Sequence, residues 1–509
     1  MLAGAVLMRL NYLFHAPDRA WPHSVWFEGD GPLYARWAGA LAEGEAFEYG
    51  LAVHAPAVGY IVRWLGYGVV PEGASPDFTR AKVVWCIASA LACAATYLAA
   101  RMELRRRASA IAAALLAFWY PSFVIATSLN GEALYSLLVP LLAAGTLWVA
   151  RRPGVRGLGG PTLRGGFLAL VVAAVTGLLH GAAMLIRPEH SLLVGMLLAF
   201  IAWGRRRELA SIAGAARVAA LLVVTAAGAV GACLPWSDST YRATERFNTR
   251  FQVGQREVRY GRMFPPWTPE ARAEMDRLPV FAREANAMYA SVWATRRGVE
   301  RLTPEHLREF FAGEFGYTPE PLRRWSLVSG QGPLTFALAN HPGATGGFST
   351  AALDARFDPD PVLSFAHPSH LRLYNRGYEV GLGWIREDPG RWAALVGRKL
   401  AIFAQGATQG VTSANWPLGR EGIRRAVDSF VAESPVWPWW AGGLGAAMLA
   451  GVLVCVRRGV GTVWLLVILS KVVVTVLFFG YARQAASVLP VFAVLVGVGV
   501  DAAVGAVEH

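Results

Sequence analysis

Two carboxylates, Glu28 and Asp30, stand between glycines in "FEGDGPLYARWAGALAEG", the stretch that starts at Phe27. They follow a short apolar run. The residues after them carry a helical period, with Leu33, Trp37, Ala40 and Leu41 on one face. Asp is a preferred residue just before a helix, and a proline such as Pro32 suits the first turn. A capping role and a chemical role are compatible at the same residue. Backbone N–H groups and the positive end of the helix dipole hold such a carboxylate ionised, the form that accepts hydrogen bonds and protons. Tyr34 lies one turn on and faces the same way as Asp30.

Further charged residues sit at the ends of apolar runs. Glu132 opens one such run in "SLNGEALY", Arg187 and Glu189 share the turn "RPEH", and Arg483 lies in "YARQ". Charges at that depth in a membrane are costly and are generally functional or paired. The plainer readings are a solvated helix end for Glu132 and Glu189, and snorkelling or an ion pair for Arg187 and Arg483. Arg187 and Glu189 are close enough in sequence to pair with each other. Lys471 falls midway along an apolar run, where insertion of a charge costs about 2.5–3.5 kcal/mol. It requires a partner that the sequence does not name. His180 also lies within a run and reads as a packing residue. His367 and His370 have a suggestive spacing, but no Cys or acidic pair completes a metal site around them.

The elements that must carry these residues are membrane helices. Of 509 residues, 54% are hydrophobic and only 16% are charged, against about 25% charged in ordinary soluble domains. Apolar runs at 83–100, 108–127, 133–150, 167–186, 191–203, 218–234, 437–456, 461–480 and 485–504 read as spans. A shorter opening run at 2–14 contains Arg9 and is not followed by a small-residue cleavage site. The expectation is an all-α polytopic membrane protein of about ten spans.

The net charge of +13 resides largely in the loops "RMELRRR" (101–107), "RRPGVR" (151–156), "GRRRE" (204–208) and "RR" (457–458). All four fall on one side of the alternating spans, which assigns that side to the cytoplasm. The charge therefore encodes topology, and a nucleic-acid partner is not expected. The four cysteines lie inside apolar runs, so no disulfide framework serves the loops.

This topology divides the chain into three parts. Residues 1–235 form an N-terminal membrane module whose first external loop covers 15–77. Residues 236–435 form a mixed, mainly helical external domain, and 436–509 supply the last spans. Short helices are expected at 269–276 and 303–312. Near 390–404, Arg391, Arg398 and Lys399 flank Trp392, Leu395, Leu400 and Phe403. That stretch reads equally as a helix lying at the membrane surface near lipid phosphates or as an amphipathic core helix.

The order of these features resembles the lipid-phosphate-dependent glycosyltransferases of the GT-C superfamily. Those include protein O-mannosyltransferases and the aminoarabinose transferases that modify lipid A. The matching stretches are the acidic loop with "D-x-x-x-Y-x-x-x-A-x-x-L-x-x-G", then "VHAPAVGYIVRWLG" (53–66), "SLNGEALYSLLVPLL" (128–142) and "GAAMLIRPEHSLLV" (181–194). "LPWSDSTY" (234–241), "YEVGLGWIREDPGRWAALVGRKLAIF" (378–403) and "FFGYARQAASVLPVFAVLVGVG" (478–499) follow in the same order. The chain departs from the family pattern at Asp30–Gly31, where an acidic pair is usual, and at Ala55–Pro56. It departs again at Tyr481–Ala482–Arg483.

The resemblance implies an inverting transfer of a sugar from a polyprenyl-phosphate donor to a lipid, glycan or protein acceptor. The site would lie on the outer face of the cytoplasmic membrane. A phosphate leaving group needs no acid, so the reaction requires one base for the acceptor's proton and cations for the phosphate. The resemblance assigns the base to Asp30, with Glu28 as its possible substitute and Tyr34 orienting it or the acceptor. Arg187 and Arg483 fall to the phosphate, and Glu132 and Glu189 to the same cavity. His54 is a candidate contact to phosphate or acceptor, with an ordinary structural histidine as its alternative. Some superfamily members use a divalent cation. No nucleotide-binding fingerprint is present. Two other classes compete: a lipid or glycan transporter, and a surface-polysaccharide ligase or polymerase using a pyrophosphate-linked donor.

Overall fold

The computed structural model describes residues 1–15, 31–44, 51, 53–67, 78–127, 129–151, 163–249, 266–277, 280–315, 322–323, 325–353, 368–408 and 437–507. Among these there are helices and no strand, with one isolated parallel bridge between Trp267 and Leu302. The first part runs α1 (Leu2–His15), α2 (Gly31–Ala42), α3 (Ala57–Trp64), α4 (Thr79–Arg101), α5 (Arg106–Phe118), α6 (Tyr120–Thr127), α7 (Glu132–Arg151), α8 (Leu163–Ile186), α9 (His190–Gly204) and α10 (Ile212–Thr249). A polar insert follows with α11 (Pro269–Asp276), α12 (Val280–Arg296), α13 (Pro304–Phe315), α14 (Gly332–Asn340), α15 (Pro368–Glu387) and α16 (Pro389–Thr408). The chain closes with α17 (Trp437–Arg458), α18 (Thr462–Leu477), α19 (Ala482–Ala486) and α20 (Leu489–Val507).

Among the described residues, six helices are long and apolar enough to cross a membrane: α4, α7, α8, α10, α17 and α20. A seventh span is possible if α5 and α6, bent by 54° at their break, count as one. The protein is therefore an all-α membrane protein. Length and composition establish six or seven spans among the described residues, and the expected ten are not established by that measure. The remaining expected spans correspond to shorter apolar helices, 2–14, His190–Gly204 and Thr462–Leu477. α8 and α10 pack with their backbones close. A methyl group built on Gly181 would meet the carbonyl oxygen of Ala229 at 2.7 Å, and one on Gly228 that of Ala174 at 3.0 Å. Small residues permit such approach where no water drives helices together.

Arg9 is bound at the break between α5 and α6. It is wholly buried, and its guanidinium donates to Ala117 O (3.1 Å), Leu116 O (3.1 Å), Ala5 O (3.0 Å), Ser89 Oγ (2.8 Å) and Ser122 Oγ (2.9 Å). Leu116 and Ala117 are in the last turn of α5, whose final carbonyls have no partner within the helix. A cation there satisfies those carbonyls and meets the negative end of the helix dipole. The charge is thus held by hydrogen bonds that join α1 to the break, a contact that no pattern local to Arg9 announces.

The polar insert has its own core, including Trp267, Phe310, Phe311, Leu334, Leu371 and Tyr374, and Leu51, Val53 and Phe479 complete it from outside the insert. Hydrogen bonds fix it to the membrane helices. Trp236 Nε1 donates to Val328 O (2.7 Å), Ser237 Oγ to Ser326 O (2.8 Å), and Gly480 N to Gly346 O (2.8 Å).

α11 and α13 occur where the sequence reading put short helices. On α16, Leu395, Lys399 and Phe403 are buried, and the helix packs on α18 and α19. Lys399 Nζ donates to Asn340 Oδ1 (3.0 Å) and Val476 O (3.2 Å). Asn340 Nδ2 in turn donates to Leu477 O (2.9 Å). Of the two readings of this stretch, the core helix describes Lys399, which turns into the protein and away from lipid phosphate.

Two outcomes follow from these buried cations. Arg9→Leu strands the carbonyl of Ala117, while Leu116 O keeps the Ser122 hydroxyl at 3.0 Å, and the cost expected is about 1–3 kcal/mol for the unsatisfied group, read as a lowered unfolding midpoint of the detergent-purified protein. Burial lowers the Lys399 pKa from 10.5 to about 7. The unfolded chain therefore binds more protons than the fold between about pH 7 and 10.5, and stability contributed at this residue rises with pH across that window. Wild-type protein should gain in midpoint relative to Lys399→Met when both are moved from pH 7 to pH 9.5. A difference that does not change with pH would show that Lys399 stays protonated in the fold as in the unfolded chain, with no lowering by burial.

Candidate functional site

The ends of α7, α8 and α9, the middle of α18 and the short helix α19 meet around a group of charged side chains. Glu132 is the first residue of α7 and is fully buried. Arg187 follows the last residue of α8, and Glu189 precedes α9, so the turn "RPEH" places the pair side by side. Arg187 spends each of its nitrogens on a different acceptor: Nη1 on Glu132 Oε1 (2.9 Å), Nε on Glu189 Oε1 (2.8 Å) and Nη2 on Gln484 Oε1 (3.3 Å). Planar, forked guanidinium geometry suits that division.

Lys471, midway along α18, is the group whose partner the sequence did not name. Its Nζ donates to Glu189 Oε1 (3.0 Å) and Gln484 Oε1 (3.3 Å), and it lies 4.7 Å from the centre of the Tyr135 ring. Arg483 Nε stands 3.0 Å from Glu132 Oε1, although its N–H is not aimed at that oxygen. Glu132 Oε2 is buried and takes no hydrogen bond. Among the described residues, three cations thus surround two carboxylates. Removing such charges from water is expensive, and mutual pairing with good geometry offsets the cost.

Beneath this group lies a chain of neutral hydrogen-bonding side chains. The Tyr135 hydroxyl is 2.8 Å from His190 Nδ1, and His190 Nε2 is 2.8 Å from His180 Nδ1. His180 is therefore more than a packing residue. The chain holds the Tyr135 ring with its face toward Lys471 and Arg187, which is the favourable geometry for a cation over a π face.

A cavity of about 750 Å³ opens beside the charged group. Glu189 and Gln484 form part of its wall. α18 contributes an apolar strip with Val473, Val474 and Leu477, while the polar insert contributes Gln331, Thr335 and Tyr378. Gly332 lets the Tyr378 hydroxyl approach closely at this wall, since a methyl group there would come within 2.6 Å of it. The cavity is of the size of ordinary small-molecule sites, which run to about 300–1,000 Å³. Its walls suit a molecule with one apolar end and one polar end.

The residues singled out in the sequence divide into three groups. Glu132, Arg187, Glu189 and Arg483 come together. The plainer ion-pair reading describes Arg187, and Glu189 is tied to two cations rather than solvated. Tyr34 is buried on α2, and His54 is half-buried just before α3. Glu28 and Asp30 lie outside the described residues, as does His367. Among the described residues, no three or more of His, Cys, Asp and Glu gather as a metal site. Sequence reasoning missed Gln484, Tyr135 and His190. Their adjacency to Arg483 and Glu189 in "YARQ" and "RPEH" was the available signal for two of them.

No family model, curated protein or solved structure matches this chain. The functional reading accordingly draws on motif order and on the chemistry of this site.

Glu132 carries two arginines, so its loss leaves buried positive charge uncompensated. Glu132→Ala is expected to cost about 3–5 kcal/mol, seen as a large drop in unfolding midpoint or in the yield of monodisperse protein. A cost near zero would mean that Arg187 and Arg483 do not depend on this carboxylate.

Proposed function

We propose that the protein is a GT-C-type glycosyltransferase of the cytoplasmic membrane. It moves a sugar, with inversion, from a polyprenyl-phosphate donor to a lipid, glycan or protein acceptor on the outer face. The observation that carries this reading is the cavity, whose apolar strip on α18 continues into a polar wall beside buried cations. An isoprenoid tail would lie along Val473, Val474 and Leu477, leaving its phosphate and sugar at the polar end.

In this reaction Asp30 accepts the acceptor's hydroxyl proton while that oxygen bonds to the anomeric carbon. The bond from the anomeric carbon to the phosphate oxygen breaks, and polyprenyl phosphate leaves with the electron pair. Glu28 and Tyr34 support the base, and His54 contacts phosphate or acceptor. Arg483, Arg187 and Lys471 stabilise the phosphate's charge, as preorganised cations do for a developing anion. The glutamates hold those cations in place. No second carboxylate acting as an acid is required, in contrast to a glycoside hydrolase.

A flippase for the same kind of amphiphile is the second reading. The break between α5 and α6, with Arg9 bound at it, favours it, since interrupted helices and buried ionisable groups are features of transporters.

The test is transfer of labelled sugar from a panel of synthetic prenyl-phosphate donors by the purified protein, beside Asp30→Asn. Transfer by wild type that falls by about a hundredfold or more in the variant is expected for a general base. Equal rates would remove Asp30 from the reaction and turn attention to Glu28. Movement of labelled lipid across vesicle membranes without any transfer would favour the flippase.

A further inference from the structure

Glu189 and Gln484 belong to the charged group and to the cavity wall at the same time, and the way their atoms are divided is informative. Both cations that touch Glu189, Arg187 through Nε and Lys471 through Nζ, bind Oε1. That leaves Oε2 free of either cation on a side chain that is 19% exposed and lines the cavity. Gln484 is 9% exposed and also lines the cavity. Its carbonyl oxygen receives both Lys471 and Arg187, so the group its amide has left to offer is the NH2. The two cations thus orient a carboxylate acceptor and an amide donor side by side. The Gln484 amide cannot turn over without losing two charge-assisted hydrogen bonds, and Glu189, whose two oxygens are equivalent, keeps one oxygen on the cations and the other off them in either orientation.

We propose that Glu189 Oε2 and Gln484 Nε2 read two hydroxyl groups of the transferred sugar. Glu189 is in this view a specificity residue, bound in place by Lys471 and Arg187, and is not the base. The inference rests on the glycosyltransferase reading and deepens it. An acceptor next to a donor matches adjacent hydroxyls on a sugar ring, since each hydroxyl donates one hydrogen bond and accepts others. Gln331 just before α14, Thr335 on α14 and Tyr378 on α15 line the same cavity. They complete a polar end built from hydroxyls and amides, which suits a polyol. The apolar strip on α18 takes the rest of the donor.

The inference separates two functions that share one group of residues. Lys471 and Arg187 set the orientation, and Glu189 and Gln484 present it to the ligand. Loss of a reading residue should then raise KM for the donor and erase discrimination between sugars while leaving kcat much less affected. A merely structural role would lower folded yield without changing which sugar is preferred.

The experiment uses the full-length detergent-purified chain with hexosyl and pentosyl farnesyl phosphates and their singly deoxygenated analogues. Transfer is followed beside donor binding by thermal shift. Wild type should prefer one parent donor over at least one deoxy analogue by about a hundredfold or more, as a site built to bind a hydroxyl rejects an analogue lacking it. Gln484→Leu should raise KM about tenfold and reduce that preference to a few-fold, and Glu189→Gln should do the same. Tyr378→Phe, which keeps the ring and the charged group intact, is the milder variant if either of the others fails to fold, and it should weaken discrimination at a different hydroxyl.

Transfer by wild type that is indifferent to every deoxygenation overturns the inference while leaving the glycosyltransferase reading standing. So does unchanged discrimination in folded variants. Binding of the parent donors with the same hydroxyl preference, but without transfer, would support the sugar site and count against the enzymatic reading. If no parent donor is either bound or transferred, both readings fall.

Discussion

Charge inside an apolar bundle is the constraint on which this structure depends. A carboxylate or ammonium taken out of water must meet its opposite, or a set of hydrogen bonds, at close range. Glu132 at the start of α7 meets Arg187 after α8 and Arg483 in α19, and Glu189 before α9 meets Lys471 in α18. The ends of four helices and the middle of α18 are thereby brought to one place. Their apolar surfaces alone would allow many arrangements, because contacts between apolar helices in lipid carry little directional information. The ion pairs are directional, and they select one.

Two more buried cations are accommodated differently. Arg9 donates to the carbonyls at the end of α5, and Lys399 to Val476 O at the end of α18. In both cases the counterpart is the negative end of a helix and not a carboxylate. Both of those helices are shorter than a full span. A helix that stops inside the bundle exposes carbonyls that need donors, and a cation that must be buried needs acceptors. Each solves the other's problem. The three lysines of the chain, Lys82, Lys399 and Lys471, are all buried, while the loops that carry the positive charge use arginine.

The cavity takes its character from the same arrangement. α18 ends at Leu477, and the chain turns through Phe478 and Phe479 into α19. That turn opens a space between an apolar helix and the polar insert, with the charged group as one wall. An amphiphile with a polar head is the kind of molecule such a space accepts. The proposed donor is of that kind, and the division of atoms on Glu189 and Gln484 supplies a means of reading its head.

What was legible in the sequence was whatever depends on neighbours along the chain. Apolar runs report membrane helices because burial in lipid acts on each segment separately, and α4, α7, α8, α10, α17 and α20 occur where those runs lie. The identities of Glu132, Arg187, Glu189 and Arg483 as residues of interest were also readable, since a charge at the end of an apolar run is costly wherever it points. Apart from Arg187 with Glu189, two residues apart in one turn, which charge meets which was decided only by tertiary structure. Lys471 and Glu189 are 282 residues apart, and Arg187 and Gln484 are 297 apart. No local pattern encodes a contact over such a separation. The same holds for the stopping points of the short helices, which Arg9 and Lys399 satisfy from other parts of the chain. Sequence determined the segments and the charges they carry; three-dimensional packing determined the partners, because an ion pair depends on distance in space and takes no account of distance along the chain.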